Sequence, residues 1–313
     1  MRIVSLLPSA TEIVCRLGLA DQLVGISHEC DYPASIRDLP RVTRTRLADR
    51  VSSREIDQHV RGLVEAQAAL YELDREALAM LRPDLIVTQS LCSVCAVSEH
   101  EVLRVACELP GQPDVVRLNP NTLHEVIACA LQVGQAAGIE QRAGQLVKEL
   151  ESRIAAVVAR SRSVARRPSV LLLEWIDPPF SSGHWNPQLV SLAGGEDVFG
   201  QAGARSRQLD WDEVLAVDPD VMIVACCGFS IDRTLDDLPT LVSYPNFAKL
   251  KCIGDGQVYL VDGSQYFNRP GPRLVDSLEL LAHTLHPELH PLPDQIEPAV
   301  RMKREPKPPQ GSS

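Results

Sequence analysis

With 313 residues, of which 45% are apolar types and 23% charged, the chain can fill a packed core and is too long for one ordinary compact unit, so two lobes are expected. Thirty-one Lys and Arg against 41 Asp and Glu leave a formal net charge of −10, a field that repels phosphate backbones and anionic lipid and argues against nucleic acid as a partner. The first apolar run is cut at Pro8, short of the roughly 7–15 residues of a signal-peptide core. No stretch reaches the about 18 apolar residues of a membrane helix. A soluble, cytoplasmic monomer without membrane insertion is expected. Cys15, Cys107 and Cys129 fall within helix-like apolar patterns, which reads as reduced core thiols rather than a disulfide scaffold.

Ile3 to Leu7 reads as a short buried strand. Ser9 or Thr11 can cap the helix after it, with Glu12 three residues beyond Ser9 as a capping-box partner and Gly18 as its stop. Leu23 to Ile26 is the next strand. Asp74 to Leu81 has a helical period and leads through Arg82-Pro83-Asp84 into the strand Leu85 to Gln89. Leu123 to Ala137 is helical and closed by Gly138. From Glu140 to about Ala165 only Gly144 interrupts a helical stripe of Leu146, Leu150, Ile154 and Val157, which predicts a long linking helix. The alternation restarts with the strand Val170 to Leu173. Glu76 to Val87 then recurs in type and order as Asp212 to Val224: helix, Pro-Asp turn, buried strand. Beyond Pro298 the chain is polar and Pro-rich, and a disordered tail is expected.

No Gly-rich phosphate loop follows the first strand, and neither a Gly-x-Ser-x-Gly elbow nor a His-Glu-x-x-His helix is present, so no catalytic role is expected. What remains is a set of clusters at strand ends, where open α/β sheets bind ligands. Pro8, Ser9 and Thr11 form a helix N-terminus that either caps itself or seats a polar ligand group. His28, Glu29 and Cys30 end a strand, where alternation lets only His28 and Cys30 converge. Cys92 and Cys95 form one Cys-x-x-Cys, and with His28 and Cys30 they compose a conceivable four-ligand metal site, the alternative being a metal-binding protein or metal-dependent enzyme. Trp175, Phe180, His184 and Trp185 crowd a loop with two prolines, where aromatics gain burial only against another lobe or a flat ligand. Gln265, Tyr266, Phe267 and Arg269 form a last cluster, with Arg269 able to neutralise an anionic group. His283, His286 and His290 read as solvated surface.

Ile3-Val-Ser-Leu-Leu-Pro8-Ser-Ala-Thr11-Glu12, Val24-Gly-Ile-Ser27 with Asp31-Tyr32-Pro33, Leu81-Arg-Pro83-Asp84, Pro178-Pro179-Phe180-Ser-Ser-Gly183, Ala193-Gly-Gly-Glu196 and Arg269-Pro-Gly-Pro-Arg273, in this order, resemble the helical-backbone (class III) substrate-binding proteins. Within that class they resemble the cobalamin-binding, Fe/B12 periplasmic-binding-domain family. The resemblance implies an α/β fold of two Rossmann-like lobes with mostly parallel sheets, joined by one long helix, with the ligand cleft between the lobes. It places an N-terminal lobe at 1–138, the linking helix at 139–167, a C-terminal lobe at 168–297 and the tail at 298–313. It further implies non-covalent binding of a cobalamin-like corrinoid, for uptake or intracellular handling, with no catalytic cofactor.

Trp175 fits an aromatic position of the family's corrin cradle and Arg269 its cleft arginine, with Tyr266 and Phe267 beside it. Glu29, Gln89, Ser206 and Gln265 replace a Tyr, two Trp and an Asp of exported relatives. Glu76 and Asp212 fit the two acidic positions that dock on an ABC-type permease. If the true start lies upstream, a periplasmic location replaces the cytoplasmic one. His184, or else His28, is a candidate lower axial base of the ligand's cobalt, the alternative being a histidine hydrogen-bonded within its own loop. The segment Thr45 to Tyr71 is longer than the family's and is expected to act as a lid.

Overall fold

Ile3 and Val4, and Leu85, Ile86 and Val87, are all buried, as unbroken apolar runs must be when a parallel strand is covered on both faces. They lie in β1 (Ile3–Ser5) and β5 (Leu85–Gln89), the two inner strands of the first sheet. The structure, a computed structural model, describes residues 1–46, 51–66, 70–89 and 99–302. Its contacts divide the chain into one unit of residues 1–159 with 269–277, and a second of residues 160–268 with 278 onward.

In the first unit β1 leads into α1 (Pro8–Arg16) and β2 (Leu23–Ile26). An insertion follows, with β3 (Thr43–Thr45), α2 (Ser53–Glu65) and β4 (Tyr71–Leu73). The main alternation resumes with α3 (Arg75–Leu81), β5, α4 (Glu99–Glu108), β6 (Asp114–Leu118), α5 (Leu123–Ala136) and α6 (Glu140–Ser161). The sheet order is β2-β1-β5-β6, parallel throughout. β3 and β4 pair antiparallel and tie the base of the insertion expected as a lid, with Tyr71 and Leu73 in the core cluster of Val4, Leu78 and Ile86. α5 opens on a capping box between Thr122 and Glu125. It passes close to α6: a Cβ on Gly134 would stand 2.4 Å from that of Ala143.

The second unit contains β7 (Ser169–Trp175), β8 (Phe180–Ser181), α7 (Asn186–Leu192), β9 (Glu196–Asp197), α8 (Trp211–Val217) and β10 (Val221–Val224). After these come α9 (Ile231–Val242), α10 (Lys251–Gly254), β11 (Val258–Leu260), α11 (Leu274–Leu285) and β12 (Val300–Arg301). β9, β7, β10 and β11 are parallel neighbours in that order, while β8 and β12 add antiparallel strands to β7 and β11.

The two parallel cores repeat one plan, β9-β7-β10-β11 answering β2-β1-β5-β6, and the repeated Pro-Asp turn shows why. α3 and α8 both end on a left-handed residue, Arg82 (φ 43°) and Asp218 (φ 48°). The aspartate after each proline then caps the first strand of its unit. Asp84 accepts the Arg2 amide at 2.7 Å, and Asp220 accepts the Ser169 amide at 3.0 Å.

Several expectations are corrected. α1 begins at Pro8, its N-cap Leu7 has no side-chain cap, and Glu12 is drawn to Arg273, so no capping box forms. α6 stops at Ser161, at 22 residues or about 33 Å, where Ser163 turns back to the Arg160 carbonyl. Through Ala159 the helix clusters with the first unit, to which residues 269–277 also return. The tail begins later than Pro298, since Val300 and Arg301 pair with β11. His286 and His290 are buried, not solvated. His286 Nε2 meets the Gly194 carbonyl, His290 Nε2 lies 3.3 Å from Ser161 Oγ, and His283 Nδ1 reaches the His290 carbonyl. Among the described residues no helix is long and apolar enough to cross a membrane.

Candidate functional site

In the first unit the loops after β1 and β2 bring polar and charged groups together. Thr11 is fully buried: its hydroxyl donates to Ser5 Oγ at 2.8 Å and lies 3.1 Å from Cys30 Sγ. Ser9 is buried as well. Both are therefore packing residues of α1, whereas Pro8 is partly exposed. His28 turns to Thr43, whose hydroxyl accepts the His28 backbone N–H at 3.0 Å and lies 2.7 Å from Nδ1. The Thr43 hydroxyl is able to donate to Nδ1 or to accept from it, and Nε2 is buried without a hydrogen-bond partner. Burial lowers the His28 pKa, with Glu29 opposing and Arg41 adding to it.

His28 and Cys30 thus engage different partners instead of converging. Cys92 and Cys95 lie outside the described residues, and among those described no group of three His, Cys, Asp or Glu is placed to hold a metal. Glu29 accepts the Tyr71 hydroxyl at 2.6 Å, and Gln89 is buried at the end of β5.

Arg269 is placed in the first unit, where its guanidinium donates to both oxygens of Asp31, at 2.6 and 3.2 Å, and stands 3.6 Å from Glu12. Tyr32, which sequence reasoning passed over, is 46% exposed and lies 4.1 Å above the Arg273 guanidinium. The motif Asp31-Tyr32-Pro33 was the available signal.

In the second unit Trp175 and Phe180 are cross-strand partners at the ends of β7 and β8, both partly exposed. The Trp175 indole N–H donates to the Asp177 carbonyl at 3.1 Å, and its ring lies 4.9 Å from that of Phe229. Arg233 covers Phe229 at 4.2 Å. Phe229 was not expected, because Gly228-Phe229 follows β10 without any aromatic pattern. Trp185 leaves the ligand-facing set: it is 4% exposed and its indole donates to the Phe267 carbonyl at 2.8 Å. Tyr266 and Phe267 are buried also, and Gln265 is folded back on Asp262.

His184, at φ 52°, is half-buried in a loop held from beneath by Glu174. That carboxylate accepts the Gly183 amide at 2.8 Å and Asn186 Nδ2 at 2.7 Å. Burial and the charge of Arg205 lower the His184 pKa, so its ring is neutral at pH 7.

Glu76 and Asp212 occupy the same place in the repeat, the second residue of α3 and of α8. Both side chains are exposed. The neighbouring acids are occupied, Asp74 and Asp210 as N-caps and Glu213 with Arg207 at 3.0 Å.

Two parallel α/β units with aromatic and charged side chains at the carboxyl ends of their strands define a protein built to hold a small molecule. Residues 3–264 match the family model described as periplasmic binding protein, and the chain belongs to that family of substrate-binding proteins. It is 24% identical over 283 residues to the vitamin B12-binding protein of Vibrio cholerae, covering 89% of this chain and 86% of that one. It is 22% identical over 296 residues to an uncharacterized ABC transporter substrate-binding lipoprotein of Bacillus subtilis, covering 92% and 80%. Among solved structures, the periplasmic heme-binding protein of Roseiflexus sp. RS-1 shares its fold with a TM-score of 0.70 at 23% identity, over 92% of this chain and 99% of that one.

Proposed function

We propose that the protein captures a flat, cobalamin-like corrinoid without covalent chemistry and delivers it to an ABC-type permease. The observation that carries this reading is the pair of partly exposed rings Trp175 and Phe180 at the ends of β7 and β8, with buried Phe229 packed against Trp175, in a chain whose relatives and structural neighbours include vitamin B12- and heme-binding proteins. Aromatic faces left partly exposed offer stacking worth about 0.5–1.5 kcal/mol each beyond area burial.

Calorimetric titration with cyanocobalamin, cobinamide and hemin tests the proposal. Trp175→Ala is expected to weaken binding about tenfold, since it removes both a stacking partner and buried area. If no member of the series binds tighter than about millimolar, the reading is wrong. Tight binding of hemin alone would replace the corrinoid by a heme-type ligand.

Delivery calls for a partner, and the exposed Glu76 and Asp212 carboxylates support basic receiving sites on it. Charge reversal in either unit, Glu76→Lys or Asp212→Lys, is expected to lower transport by the permease at least tenfold in proteoliposomes, because like charges meeting at an interface cost several kcal/mol. Ligand affinity of the free protein should be unchanged. Normal transport by both variants would remove these residues from the docking role.

A further inference from the structure

Four charged side chains of the first unit form one network. The Glu12 side chain on α1 is 1% exposed and accepts two hydrogen bonds from Arg273, at 2.6 and 3.0 Å. Arg269, 11% exposed at its side chain, stands 3.6 Å from Glu12 and grips both oxygens of Asp31. The two carboxylates beside Arg269 are not equivalent. Glu12 is enclosed and fastened by Arg273, so withdrawing it would strand a charge away from water. The Asp31 side chain is 51% exposed and sits on the loop after β2, so it can leave and be rehydrated at small cost. Next to it Tyr32 presents an exposed ring over Arg273. The result is a two-pronged guanidinium, suited to a planar oxyanion, with a removable occupant and an aromatic face alongside.

Resting on the ligand-capture reading, we propose that Asp31 is a resident counter-ion which an oxyanion of the ligand, a carboxylate or a phosphate, displaces from Arg269. Ligands that carry such a group are then selected over neutral analogues, and Asp31 sets their affinity.

The test uses two matched pairs, hemin with its dimethyl ester and cyanocobalamin, which carries a phosphodiester, with cyanocobinamide, which lacks it. Each is titrated into the whole protein and followed by quenching of tryptophan fluorescence. In at least one pair Asp31→Asn is expected to tighten the anionic member, the one that carries the carboxylates or the phosphodiester, about five- to tenfold and to leave its counterpart, which lacks that group, unchanged. Asp31→Ala should do the same, and Arg269→Gln should abolish the preference for the anionic member. Thermal unfolding of each variant, expected within a few degrees of the parent, shows that the effect is not one of folding. If Asp31→Asn and Asp31→Ala leave the anionic-to-neutral ratio of every bound pair as in the parent, the counter-ion role is overturned while ligand capture stands. If no probe binds the parent or any variant, ligand capture itself falls and takes this proposal with it.

Discussion

Arg273→Met is expected to cost about 3–5 kcal/mol of unfolding free energy, because it leaves the Glu12 carboxylate, 1% exposed at its side chain, without its two-pronged partner. Burial already pushes the Glu12 pKa up against the pull of Arg273 and Arg269. With Arg273 gone that push prevails, and the folded state holds the Glu12 proton more tightly than the unfolded chain does. An acid with a raised folded-state pKa contributes stability at low pH and loses it as pH rises. The deficit of the variant should therefore be larger at pH 8 than at pH 5, and adding Glu12→Gln should recover part of it at pH 8. Urea unfolding at the two pH values measures this. A loss under 1 kcal/mol at pH 8 would show that the pair is dispensable.

Glu174→Gln is expected to act in the opposite direction and to stabilise the protein at pH 8 by about 2–3 kcal/mol. The residue as a whole is partly exposed, but its carboxyl group is enclosed. Burial pushes its pKa from the ordinary 4.5 to about 7, even though Asn186, Gly183 and Ser206 donate to it, and Asp197 adds to the rise. The folded state binds this proton more tightly, so stability falls as pH climbs from 4.5 through 7, at a slope of no more than about 1.4 kcal/mol per pH step of one. A glutamine keeps an acceptor for Gly183 and Asn186 and does not titrate. Melting temperatures from pH 4.5 to 8 should show the parent losing ground to Glu174→Gln across that window and the gap levelling above it. A gap that stays constant from pH 4.5 to 8 would contradict the assignment.

The strands and the duplicated helix–Pro-Asp–strand unit were legible because their causes are local: apolar runs of strand length, and a proline that ends a helix. The burial of Trp185, His286 and His290 was not, since the Phe267, Gly194 and Ser161 groups that their ring nitrogens meet are 82, 92 and 129 residues away, respectively. The same distance effect hid the Arg269–Asp31 pair, 238 residues apart. A loop arginine is naturally assigned to the ligand when its protein partner lies so far away along the chain. Ser9 and Thr11 misled for a different reason. They are good capping residue types, but Pro8 fits the first helical turn better, and this moves them inside α1 and into the core.

Because residues 269–277 complete the first unit, that unit is not a continuous stretch of the gene. During synthesis residues 1–159 leave the ribosome long before Arg273 is made, and Glu12 waits 261 positions for its counter-charge. A nascent chain halted after residue 160 therefore carries an acid meant for burial with nothing to bury it against. Such an intermediate is a natural client for a holdase, and a poor starting point for cutting the protein into autonomous halves.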